Sequence, residues 1–322
     1  MNDDLADVVT MGEAMRLLVA EPGAALRRAA SFSSGVVGAE TNVAVGLARL
    51  GVSVRWFGRV GDDPAGHAVL ANLRAENVDT SAVELDPERP TGLLMRESHP
   101  ARPIAVQYYR TGSAACGLSG DYVRAQDLAG VRLVHVSGIT PMLSPSALDA
   151  TRTLFDAART SGALVSFDPN VRLKLGTPDV WRDTVDPLLR RADWIFAGED
   201  ELELIAGAGA DEATTTLLAG PAAEVIVKHA DKSATVTTAD GRWRQPPLAR
   251  TVVDTVGAGD ALVSGYLAAR LRGDRPPQAL RSGAVSAALV VGAVVDTEGL
   301  PDAVELARAT AVFTGSGTDV DR

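Results

Sequence analysis

Short apolar runs alternate with amphipathic stretches along most of the chain. Val8-Val-Thr-Met11 predicts a strand, Glu40 to Leu50 a helix closed by Gly51, and Val52 to Phe57 the next strand. Farther on the rhythm is regular. Arg132 to Val136 predicts a strand, Ser144 to Ser161 a helix, Ala163 to Phe167 a strand and Pro178 to Arg191 a helix. Asp193 to Phe196 predicts another strand, Glu199 to Ala206 a short helix and Glu224 to Lys228 a further strand. Strands that are apolar at nearly every position suit burial on both faces, and the helices between them supply the cover. The pattern therefore predicts an α/β fold around a mostly parallel sheet.

Two segments, about 14–35 and 91–110, break the rhythm with strand-like alternation and no helix between, as in Ile104-Ala-Val-Gln-Tyr-Tyr109. They predict a small β-rich lid over the edge of the main sheet, although an antiparallel extension of that sheet has the same periodicity. The polar tail, 315–322, is expected to fray, and the whole of 1–322 reads as one domain without internal repeats.

Composition removes several classes of function. With 46% hydrophobic and 22% charged residues, the chain has the make-up of a soluble globular protein. A net charge of −10 and the lack of a basic stripe argue against nucleic acid as a partner. No apolar run reaches the roughly 18 residues of a membrane span. Met1-Asn2-Asp3-Asp4 is unlike a signal peptide, and the single cysteine, Cys116, suits a reducing cytoplasm. His67, His99, His135 and His229 lack metal-ligand spacing.

The most telling stretch is Val253-Asp-Thr-Val-Gly-Ala-Gly-Asp-Ala-Leu262. Leu248 to Val253 predicts a strand and Ala261 to Arg272 a helix, with Gly257 and Gly259 in the turn between. A glycine turn opening a helix presents unpaired N–H groups and the positive end of the helix dipole, which together cradle an anion. Asp260, in the first turn, can either complement the dipole or take a proton from an attacking hydroxyl. The ten residues alone leave both roles open. A Rossmann dinucleotide site is excluded because the first strand runs into Gly12-Glu13-Ala14 without the further glycines, and a P-loop because no Gly-Lys-Ser/Thr triplet occurs.

Asp254-Thr-Val-Gly-Ala-Gly-Asp260 resembles the C-terminal signature of the ribokinase-like (PfkB-type) carbohydrate kinases. Gly38-Ala-Glu-Thr-Asn-Val-Ala44, with Gly51, Gly61-Asp62-Asp63 and Gly66, is similar to the N-terminal one. The resemblance implies a three-layer α/β/α core with a small β lid. It also implies ATP as phosphoryl donor and a Mg2+ requirement, and it leaves a monovalent cation beside the anion hole open. By the same resemblance Asp260 is the base and the backbone of Gly257, Ala258 and Gly259 is the anion hole. Lys228, Thr255, Gly257, Gly259 and Ser286 are then expected at the nucleotide, and Glu201 near the metal in an indirect role.

Three further segments resemble the 2-keto-3-deoxygluconate kinase branch: Tyr108-Tyr-Arg110 with Gly112 to Ala115, Phe167 to Leu175, and Asp296 to Pro301. They imply a sugar acid as substrate, read by Arg110 and Arg172 with Tyr108, Asn170, Gly38 and Asn42 beside them. Paired guanidinium donors match a carboxylate. A fructokinase or other neutral-sugar kinase, and a catalytically weak sugar-binding homologue, are the alternatives. Leu94, Gly176, Gly198, Ala230 and Ser233 stand where this branch commonly carries Tyr, Trp, Asn, Gly and Gly. Exposed lid strands also suggest pairing of two copies through the lid.

Overall fold

The computed structural model describes residues 6–98, 104–249, 251–293 and 297–314. Met1 to Asp4, His99, Asp296 and the 315–322 tail lie outside the described residues, as do 99–103 of the second lid segment. The main sheet has eight strands in the order Gly241–Gln245, Ala234–Thr238, Glu224–Lys228, Trp194–Gly198, Leu164–Asp168, Leu133–Ser137, Val8–Met11, Val54–Phe57. The strands from Glu224–Lys228 to Val54–Phe57 are parallel, and the Ala234–Gln245 hairpin adds an antiparallel edge.

Period-two alternation sends successive side chains to opposite faces, and both faces are apolar. Val8, Leu133, Phe196 and Ile226 pack with Val43, Leu47, Leu262, Tyr266 and Leu280 from helices on one side. Val9, Val134, Ile195 and Val225 pack with Leu154, Phe155, Trp181 and Leu217 on the other. This is the expected layering of helices, sheet and helices.

The two irregular segments form a separate sheet, in the order Phe32–Val37, Met15–Ala20, Gly92–Arg96, Val106–Tyr109, around Met15, Leu17, Val19, Val37 and Leu94. They do not extend the main sheet. The strand expected at Leu248–Val253 is absent from its described residues. Pro246 and Pro247 cannot donate to a ladder, the hairpin already closes that edge, and Val253 N–H and Asp254 N–H bond to Val291 O instead, at 2.7 and 3.2 Å.

His135, on a central strand, is buried and shares a 2.9 Å hydrogen bond between Nδ1 and Ser166 Oγ. Burial, helped by Lys228, pushes its pKa from 6.5 down to about 3. The unfolded chain therefore takes up a proton below pH 6.5 that the folded chain refuses until about pH 3, so this group destabilises the fold progressively as pH falls. Between pH 7 and pH 5 urea unfolding should show the wild type losing about 2 kcal/mol more than His135→Asn. Equal losses would mean that His135 is not the group responsible.

Candidate active site

The candidate residues gather at the carboxyl ends of the parallel strands, where open α/β sheets place their ligands. The helix expected from Ala261 begins earlier, at Ala258, because Gly257 takes a left-handed conformation (φ 81°) and caps it. Ala258, Gly259 and Asp260 thereby become the first turn. Ala258 N–H makes one long bond to Thr255 O, at 3.4 Å, and no backbone acceptor is paired with the N–H of Gly257 or Gly259 among the described residues. Thr255 and Val256 are exposed and residues 257 to 260 half-buried, so this set of donors faces open space. Donors arranged in this way can hold an anion.

Asn42 Nδ2 donates to Asp260 Oδ2 at 2.8 Å, joining the two sequence motifs. Asn42 is placed by the Ala39–Arg49 helix, whose cap, Gly38, passes so close to Glu13 that an added Cβ would lie 2.2 Å from Glu13 O. Any side chain at residue 38 would force that contact apart. The neighbouring Glu40 is fully buried and accepts from Ser137 N–H, Ser137 Oγ and Thr140 Oγ1, which fixes the helix to the strand ends.

Lys228 stands at the end of its strand beside the cradle, its Nζ 4.0 Å from where a Cβ on Gly259 would sit. It donates to Asp168 Oδ1 and Oδ2, at 3.1 and 2.8 Å, and lies 3.7 Å from Glu201 Oε2. Burial alone would pull the ammonium pKa down, but Asp168 and Glu201, with Asp260 adding to them, hold it above its ordinary value, so Lys228 stays charged. Glu201 also accepts Gly198 N–H and Val171 N–H, at 2.7 and 2.8 Å. Burial raises its pKa, and Lys228 with these amides more than reverses that, leaving it lowered. Gly198 therefore serves as a cap held by Glu201, in a space where an added Cβ would meet Asp200 Oδ1 at 2.6 Å.

The turn after Lys228 compensates for its missing glycines in a different way. Lys232 itself takes a left-handed conformation (φ 68°), while Asp231 Oδ1 accepts from Ser233 N–H and Oγ at 3.0 and 2.6 Å. Ser286, expected at the nucleotide, lies where two helices meet. It is completely buried, its Oγ 2.6 Å from where a Cβ on Gly265 would sit and without a hydrogen-bond partner among the described residues, so it packs two helices together.

Across from the cradle, the small sheet supplies Tyr108 and Arg110. Arg110 is paired with Glu13, which also accepts from Ser113 Oγ at 3.0 Å. Burial pushes the Glu13 carboxyl above its ordinary value despite the opposing pull of Arg110 and Ser113. The buried Nε of Arg110 has no hydrogen-bond partner among the described residues, so one donor is spare. Arg172 is exposed, its Nη1 donates to Val171 O at 2.9 Å, and its charge helps to hold the Glu201 pKa down. Lys174 joins Arg110 about Tyr108, with Lys174 Nζ 5.5 Å and Arg110 Cζ 5.2 Å from the ring centre. Asn170 is buried in a left-handed conformation (φ 44°), its N–H bonded to Asp168 Oδ1 at 3.1 Å. Leu94 is the cross-strand partner of Tyr108, giving that ring an apolar neighbour.

Glu13, Lys174 and Asp168 are functional candidates that sequence reasoning missed. The available signal was position: each carboxylate ends or just follows a predicted strand. Among the described residues no three His, Cys, Asp or Glu side chains converge as a metal cage. That donor set fits Mg2+ arriving on phosphates, since the ion keeps several waters and needs few protein carboxylates. Asp168 and Glu201 are the carboxylates that could orient those waters.

A family model described as pfkB family carbohydrate kinase matches residues 5–303. The 2-dehydro-3-deoxygluconokinase of Bacillus subtilis strain 168 is 37% identical over 311 residues, 94% of each chain. The 2-dehydro-3-deoxygalactonokinase of Haloferax volcanii is 31% identical over 287 residues, 88% of this chain and 90% of that one. Among solved structures, a PfkB protein from Polaromonas sp. JS666 superposes with a TM-score of 0.83 at 36% identity, covering 94% of this chain and 99% of its own.

Proposed function

The chain belongs to the pfkB family of carbohydrate kinases, and from that premise we propose that it transfers the γ-phosphoryl of ATP to the terminal hydroxyl of a sugar acid. The first candidate is 2-keto-3-deoxygluconate (2-dehydro-3-deoxygluconate). The observation that carries this reading is the Asn42–Asp260 hydrogen bond of 2.8 Å, which joins the two motifs and supports a role for the first-turn carboxylate beside the 257–259 amides. Asp260 accepts the hydroxyl proton as the oxygen bonds to phosphorus and the bond to ADP breaks. The amides of residues 257 to 259 face the charge that develops on the phosphoryl oxygens. Mg2+, when bound, would neutralise part of the phosphate charge. Lys228 adds a fixed positive charge on the same side, and the small sheet, acting as a lid, would exclude water.

The acid is favoured by the cations around Tyr108. Arg110 retains its buried Nε–H, and Lys174 adds an ammonium. A neutral-sugar kinase remains the second reading, because Glu13 already answers the charge of Arg110. ADP release across sugar acids and neutral ketoses separates the two. The expected result is a kcat/KM for 2-keto-3-deoxygluconate at least about 100-fold above that for fructose, falling below about 10-fold in Arg110→Met, as the loss of a charge-assisted contact predicts. Activity on fructose alone would overturn the acid assignment.

A further inference from the structure

Arg96 is among the largest fully buried side chains, 2% exposed, and no part of the reading above uses it. It ends the Gly92–Arg96 strand of the small sheet, paired with Val19 on one neighbouring strand and Val106 on the other. Its Nη1 donates to Asp254 Oδ2 at 2.5 Å, and Asp254 is itself only 7% exposed. Asp254 opens the glycine loop. Its other oxygen accepts Val256 N–H at 3.0 Å, so the same carboxylate that holds Arg96 also shapes the backbone leading into Gly257. At its opposite end the strand is fixed to the core, because Thr91 N–H and Oγ1 donate to the two oxygens of Asp63, at 2.8 and 2.9 Å.

This inner strand of the small sheet thus runs between the two sequence motifs, tied to Asp63 at its start and Asp254 at its end. The next strand leads into the sugar side, carrying Tyr108 and running into Arg110. Strands in one hydrogen-bonded sheet move together. A buried ion pair resists separation because each charge would be left without its partner in a medium that solvates it poorly. Thr251, Val252, Val253, Thr255 and Val256 are exposed, so few packing contacts compete with this pair for control of the loop.

We propose that Arg96 is a positioning residue that couples the placement of the small sheet over the sugar to the shape of the 254–260 phosphate loop. Sugar and nucleotide then bind cooperatively, since either ligand orders an element that the other requires. This rests on the kinase reading above. The test is calorimetric titration with a non-hydrolysable ATP analogue and Mg2+, with and without the saturating sugar that the activity panel identifies. In the wild type, the sugar should tighten analogue binding about 10-fold, within the usual range of coupling between sites.

In Arg96→Met that enhancement should fall below about twofold, while analogue affinity without sugar stays within about threefold. Asp254→Asn, nearly isosteric, should lose the enhancement equally, and it carries the test if Arg96→Met does not fold. The double variant should be no worse than either single one, as expected for two members of one interaction. Retention of the enhancement in either folded variant, or its absence from the wild type, would overturn the coupling and leave the kinase assignment standing. A wild type inactive on every sugar would instead remove the kinase reading on which the coupling depends.

Discussion

Asp260→Asn is expected to lower kcat by about 1,000-fold while sugar and nucleotide affinities change by no more than about threefold. The carboxylate lies in the first turn of its helix and is held by Asn42 Nδ2 at 2.8 Å. An amide of the same shape keeps most of the packing. What it loses is the ability to accept a proton. Because the acceptor proton leaves late in phosphoryl transfer, the carboxylate need not be a strong base, and the loss falls on rate rather than on binding. ADP release gives the rate and calorimetry the affinities. If wild type and variant were equally inactive and bound sugar equally well, the protein would be a sugar-binding homologue rather than a kinase.

Lys228→Met should reduce kcat/KM for ATP at least about 100-fold and also destabilise the fold by about 3 kcal/mol, the usual cost of leaving a buried charge without its partner. Two effects combine. The ammonium lies beside the Gly259 end of the cradle, and it is also the partner of Asp168, whose side chain is 4% exposed. Burial pushes Asp168 up, and Lys228 is the main pull down, helped by the Asn170 N–H; without the lysine only that amide opposes the push. The variant should therefore be least stable where Asp168 is ionised and recover part of the loss in mildly acidic buffer. Urea midpoints at pH 7 and pH 5.5 provide the check, and an unchanged midpoint at pH 7 would show that the pair contributes nothing.

The main sheet was legible in the sequence because burial on both faces leaves continuous apolar runs such as Val225-Ile226-Val227, which few other environments allow. The two motifs were legible because a left-handed turn at Gly257 and a close approach at Gly38 demand glycine at fixed places. Cross-chain pairings were not. Glu13 meets Arg110 across 97 positions and Arg96 meets Asp254 across 158, and nothing local marks a charged side chain as having so distant a partner. Arg172 was placed at the sugar by the resemblance of Phe167 to Leu175, and nothing in that segment marked Lys174 as a neighbour of the Tyr108 ring. Leu248 to Val253 misled because a β-branched run beside a closed sheet edge looks the same in sequence as one beside an open edge.

The Asn42–Asp260 contact spans 218 positions. The two partners of the proposed site therefore lie at opposite ends of the sequence, and a chain cut short before Ala258 would lack both the amide cradle and Asp260.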